Sequence, residues 1–160
     1  MTPEEALKRA GVALPEVNQP VANYVMAVRT GSLLFLSGHG AFDGDTPVHT
    51  GRLGEDLSTE DGRLAAEAVM LNLLATVRAE LGSLSQVARF VKVVVFVNSA
   101  PGFAEQHLVA NGATDLLVHA FGDVVGRPAR SAVGVAALPL GFAVEIEAVL
   151  ETTQTAELKG

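Results

Sequence analysis

Hydrophobic and polar positions in this chain recur with periods that change from segment to segment, and each period predicts an element. From Ala143 to Leu150, residues Val144, Ile146 and Ala148 fall on one face and Glu145 and Glu147 on the other, the two-residue period of a half-buried strand. Ser131 to Ala137, rich in Val and Ala, reads as a second short strand just before it. Leu138-Pro139-Leu140-Gly141 between them is turn chemistry, because Pro fixes φ and Gly permits positive φ. Phe90 to Val97, FVKVVVFV, is a continuous apolar run broken only by Lys92, which predicts a central strand buried from both sides. Near the start, Tyr24 to Arg29 and Leu33 to Ser37 read as two strands around a hairpin turn at Thr30-Gly31-Ser32.

Helical signals lie between these strands. Thr2-Pro3-Glu4-Glu5 is a helix start, with a Thr cap, Pro at the first position and acids in the first turn, and Gly11 ends that short helix. Leu14 to Gln19 reads as a linker. Ser58 with Asp61 forms a capping-box pattern before a helix from about Thr59 to Leu81, closed by Gly82. Its middle, AAEAVMLNLLATV, is apolar nearly all round, so it is covered on more than one side. A further helix is expected from about Phe103 to Ala120, ending near Gly122. Gly112 inside it costs about 1 kcal/mol relative to Ala, which argues for close packing or a distortion near Asn111.

The order strand, strand, helix, strand, helix, strand, strand predicts an α+β fold, a mixed sheet with two long helices on one face. Two helices leave the other face of the Phe90–Val97 strand uncovered. Another copy of the chain is the economical cover, so a homo-oligomer is expected.

Composition narrows the class. With 160 residues, 49% hydrophobic and 18% charged, the chain is expected to form one globular domain over 1–160, with a core of about 23–150, a helical N-terminal extension over 1–22 and a polar, frayed tail over 151–160. A net charge of −7 and the lack of any basic run argue against a nucleic-acid partner. There is no Cys, hence no disulfide, thiolate metal site or Cys nucleophile. The N-terminus MTPEEALKRA is unlike a signal peptide, and no apolar run nears the ~20 residues that span a bilayer, so a soluble, cytoplasmic protein with no membrane partner is expected.

Candidate chemistry centres on Arg130, at the mouth of the Ser131–Ala137 strand. Its planar fork can meet a carboxylate through two parallel hydrogen bonds. A carboxylate on the following strand could lie nearby, so Arg130 and Glu147 are expected to share one pocket. Gly38-His39-Gly40-Ala41-Phe42-Asp43-Gly44 follows a strand like a dinucleotide fingerprint, but Asp45-Thr46-Pro47 cannot open the helix that a phosphate cradle needs. That segment reads instead as glycines in a mobile loop. His39 and His49 in the same loop lack the regular geometry that three converging metal ligands need, so no metal site is assigned. His107 and His119 read as ordinary histidines.

The string P-A-R-S, six residues, L-P, then V-E-I-E-A resembles the C-terminal signature of the RidA/YjgF/UK114 family. Asn23-Tyr24-Val25, Leu36-Ser37-Gly38 and Val95-Phe96-Val97-Asn98 match further strand motifs in the same order, so the resemblance runs from about Asn23 to Leu150. The loop of residues 39–56 and the VANGATDLL helix mark a divergent branch. The resemblance implies a chorismate-mutase-like homotrimer around a central barrel, with pockets between subunits that the 39–56 loop borders. It implies hydrolysis of enamines and imines formed from amino acids, giving 2-oxo acids and ammonia, with no cofactor. The ligand would be a small carboxylate or imino acid. Arg130 matches the family's carboxylate-binding Arg, Glu147 its water-positioning acid and Tyr24 a pocket tyrosine. Ser37 and Gly38 match the loop that lines the pocket, and Asn111 a polar helix residue near it. Ala132 stands where many relatives carry Cys; the contact there is made through backbone. A non-catalytic carboxylate sensor and a ribonuclease are the alternatives, and acidity weighs against the second.

Overall fold

The computed structural model describes residues 1–154. Its elements are α1 (Pro3–Arg9), β1 (Ala27–Thr30), β2 (Leu33–His39), β3 (Phe42–Asp43), β4 (Thr46–Pro47), α2 (Thr59–Leu81), β5 (Val87–Asn98), α3 (Gln106–Gly126), β6 (Ala129–Val135) and β7 (Val144–Thr152). Five strands form one mixed sheet in the order β1-β2-β7-β5-β6, and β3 and β4 form a separate hairpin. All neighbours in the sheet are antiparallel except β5 and β6, which run parallel. A parallel pair needs a long crossover, and α3 supplies it. The fold is the expected α+β arrangement.

Local chemistry explains the helices. Thr2 and Glu5 exchange hydrogen bonds around the start of α1, and Ser58 and Asp61 do the same for α2. Gly82 closes α2 with φ +83°, a conformation that L side chains resist. The apolar centre of α2 lies between the sheet and α3, and Ala65, Ala66, Val69, Met70, Leu73, Leu74 and Val77 are buried. Gly112 is where α3 meets α2 backbone to backbone: a Cβ there would collide with the carbonyl oxygen of Arg63. The close packing expected at this glycine is present. Helix α3 starts at Gln106, three residues later than the pattern predicts, and is interrupted by Gly122 (φ +76°), the predicted stop, before continuing to Gly126.

Three expectations change and one, the second below, holds. First, the strands β6 and β7 do not pair across their turn, because β5 lies between them and bonds to both. Strand β7 takes the centre of the sheet, and β5, the longest strand, lies beside it next to the edge strand β6. Second, within one copy β5 is covered on one face only, as expected from two helices. Phe90, Val93, Val95 and Val97 are buried under the helices, whereas Val94 and Phe96 on the other face are half-buried. That open face also carries Val28, Phe35 and Val133, which are 54%, 44% and 44% exposed. Third, Tyr24 lies in a bend ahead of β1 and is half exposed, so it is not a strand residue. Fourth, the segment after Gly38 is not irregular, since it holds the β3–β4 hairpin with Gly44 (φ +60°) at its turn. The polar tail begins inside β7, which runs to Thr152; residues 155–160 of that tail lie outside the described residues.

Candidate functional site in two halves

Arg130 is the second residue of β6, an edge strand, and its Cα partner on β5 is Val93. Val93 faces the helices, and so does Arg130. Nη1 donates to Asn111 Oδ1 at 2.9 Å and to Thr114 Oγ1 at 3.0 Å, and Nη2 donates to the His107 carbonyl at 3.3 Å. These three bonds hold the guanidinium against α3. Of its five N–H donors, Nε–H and one Nη2–H have no partner among the described residues, and two such donors suit the two oxygens of a carboxylate. A cleft of about 550 Å³ opens beside it, lined also by Thr114, Asp115, Val118, His119, Arg127 and Pro128. Arg127 at its rim is paired with Asp123 at 3.0 Å; both are largely exposed, so the pair adds little stability. Ala132, two residues after Arg130, also faces the helices and packs on the core.

The other predicted residues lie elsewhere. Between Leu36 and His39 the register of β2 against β7 shifts, so Ser37 and Gly38 together oppose Glu147. This is a β-bulge, a device that re-aims side chains and gathers near functional sites. Ser37 Oγ donates to the Val25 carbonyl at 2.6 Å, and Ser37 N–H donates to Met26 O at 2.9 Å, which ties the Tyr24 segment to the bulge. Gly38 is overlain by the side chain of Glu145: a Cβ on Gly38 would stand 2.6 Å from Glu145 Oε1. Burial, and secondarily the charge of Glu147, raises the Glu145 carboxyl above the ordinary carboxylate value. Glu147 itself is exposed.

The structure therefore brings Arg130 together with Asn111, and Ser37 together with Gly38 and the Tyr24 segment. It does not bring Arg130 to Glu147. The row Arg130–Val93–Ala148 faces the helices, and the next row, Ser131–Val94–Glu147, faces the open side. Strand β6 is also three strand spacings from β2, roughly 14 Å. Three contributors escaped the sequence reading. His107 and Thr114 flank Asn111 at i, i+4 and i+7, one helix face, and that spacing was the available signal. Glu145 shares its strand face with Glu147, so alternation cannot choose between them; only the position of the bulge does. Among the described residues no three of His, Asp or Glu converge as metal ligands. His39 is not free to ligate, because both ring nitrogens are hydrogen-bonded.

Residues 15–152 match the family model described as Endoribonuclease L-PSP, a span that contains both halves of the site. The chain belongs to the endoribonuclease L-PSP (RidA/YjgF) family. Within it, the chain is 47% identical to Protein TCP17 of Trypanosoma cruzi over 145 residues, 91% of each chain. It is 30% identical over 139 residues to a 2-iminobutanoate/2-iminopropanoate deaminase of Dermatophagoides farinae, covering 87% of this chain and 93% of that one. The fold superposes on a crystal structure of a protein of unknown function from Agrobacterium tumefaciens with a TM-score of 0.86 at 41% identity, covering 94% of this chain and 92% of the other. The L-PSP family thus includes a named imine deaminase. No helix among the described residues is long and apolar enough to cross a membrane.

Proposed function

We propose that this L-PSP family member is an imine deaminase that hydrolyses small 2-imino acids to 2-oxo acids and ammonia in a homotrimer. Its open sheet face would be covered by neighbouring copies, and each pocket would join Arg130 of one copy to the bulge half of the next. The observation that carries this reading is the Arg130 guanidinium, held by three acceptors with two adjacent donors left at a cleft. Those donors take the substrate carboxylate. The bulge half supplies Glu145, which replaces Glu147 in the role of base, because it is the half-buried acid with a raised pKa. A carboxylate whose pKa lies nearer neutrality accepts a proton more effectively from water.

Water attacks the carbon of the protonated imine, Glu145 takes the proton that water loses, and the C=N π pair moves to nitrogen to give the neutral carbinolamine. Glu145 then returns its proton to that nitrogen, the C–N bond breaks to release ammonia, and the hydroxyl gives up its proton to solvent as it becomes the ketone. The chemistry is modest, and most of the rate comes from holding acid and water in place. The half-exposed Tyr24 hydroxyl is a donor available to water or substrate. The ribonuclease activity in the family's description is not adopted here, since a net charge of −7 opposes phosphate binding.

The test is ammonia release from 2-imino acid generated in situ by an amino acid oxidase. Turnover that falls by at least ~100-fold in both Arg130→Ala and Glu145→Gln supports the reading. Full turnover in either variant, or no acceleration by the wild-type protein, overturns it. In that last case, titration with 2-oxo acids separates a carboxylate-binding protein from one that does not use this cleft.

A further inference from the structure

The bulge that seats Glu145 is itself held by a residue outside the chemistry above. His39 ends β2 on the helix side of the sheet and is only 4% exposed. Its Nδ1 lies 2.6 Å from the Ser37 carbonyl oxygen, and its Nε2 lies 2.8 Å from Thr76 Oγ1 on α2. A carbonyl can only accept, so Nδ1 carries the proton. Nε2 then accepts from the Thr76 hydroxyl, and one neutral tautomer satisfies both bonds. Burial lowers the His39 pKa and outweighs the Ser37 bond, which keeps that neutral form at pH 7.

A bulge interrupts ladder pairing and needs other partners for its backbone groups. Ser37 shows how fully this one is tied: its N–H goes to Met26 O, its hydroxyl to Val25 O and its carbonyl to His39. The ring reaches back across Gly38 to grip the residue before it. Gly38 is therefore fixed between a strand residue anchored to α2 and a serine anchored to the Tyr24 segment.

We propose that His39 is a positioning residue that pins the Ser37–Gly38 bulge to α2 through Thr76, and thereby holds Gly38 as the seat of the Glu145 carboxylate. The inference rests on the reading of Glu145 as the base. When His39 lets go, the Ser37 carbonyl loses its partner, the bulge relaxes and water reaches Glu145. The charged group that acts on Glu145 is Glu147 on its own strand; Lys92 on β5 is turned to Ser131 Oγ at 2.8 Å.

The experiment follows the Glu145 carboxyl by NMR through a pH titration of the intact protein. The His39→Phe variant fills the space but makes neither bond. Thr76→Val removes only the outer bond, and His39→Gln can still donate to Ser37. The expected result is a Glu145 midpoint that moves down toward the ordinary carboxylate value in His39→Phe, moves less in Thr76→Val and stays near wild type in His39→Gln. If His39→Phe does not fold, Thr76→Val carries the test. In turnover, His39→Phe should lower kcat about ten-fold with KM within about two-fold, and shift the acid limb of the pH profile downward. An unchanged Glu145 midpoint in folded His39→Phe, or in Thr76→Val where His39→Phe does not fold, overturns the inference. Full activity in Glu145→Gln instead overturns the reading of Glu145 as base, and leaves the titration result for His39 standing.

Discussion

The Arg130 half and the Glu145 half of this sheet are built on opposite principles. Arg130 is charged at any working pH, so the fold only has to orient it, and it does so with three acceptors on α3. Glu145 has no hydrogen-bond donor among the described residues and leans on a glycine instead. A carboxylate satisfied by donors would be a weaker base, because each bond to the charged form lowers its pKa. One half is held by hydrogen bonds, and the other is half-buried with none. In the proposed reaction the binding group would be secured with bonds, and the base kept basic by withholding them.

Five substitutions test this contrast, from the largest expected effect to the smallest. Gly112→Ala should break the rigid half. Helix propensity would gain about 1 kcal/mol, but the new methyl meets the Arg63 backbone, which cannot swing aside. Overpacking should win by a net ~1–3 kcal/mol of destabilisation in a denaturant melt. Arg130→Ala should weaken 2-oxo acid binding by roughly 1.5–3 kcal/mol in calorimetry, with a much smaller change in melting. Arg130→Lys should fall between, since it keeps the charge and loses the fork.

Glu145→Gln probes the unsatisfied half. A carboxyl whose folded pKa is raised contributes stability that is complete below its unfolded pKa and is lost as pH rises through the folded value. At pH 7 the ionised group is a burden. The neutral amide should therefore raise stability slightly at pH 7, by under about 1 kcal/mol, and give no gain near pH 4. Parallel melts at the two pH values read this out. Gly38→Ala should change stability least, within about 0.5 kcal/mol, because the atom it meets is the mobile end of Glu145. Its effect should appear in the Glu145 titration, as a displaced carboxylate in a new environment.

Much of the fold was legible because its signals are local. The capping residues Ser58 and Asp61, the stop at Gly82, the tight contact at Gly112 and the alternation over Val144 to Leu150 all lie within a few residues of what they specify. Strand order was not legible. The turn at Leu138–Gly141 looks like a hairpin from its own residues, and nothing local to it shows that β5 lies between β6 and β7. The site shows the same divide. Arg130 stood out from its motif, and Asn111 was found with it. That Glu145 rather than Glu147 is covered was not legible, because a bulge on a different strand decides it.

The central claim is that one copy cannot complete this site and that a second copy does. Co-expression of Arg130→Ala with Glu145→Gln tests it most directly. Each variant alone should form an inactive trimer. In randomly mixed trimers, with each pocket taking Arg130 from one copy and Glu145 from the next, one pocket in about four is intact. Imine hydrolysis should therefore return to about a quarter of the wild-type rate. Mixed trimers, verified by native mass spectrometry, that stay as inactive as either parent would contradict the account.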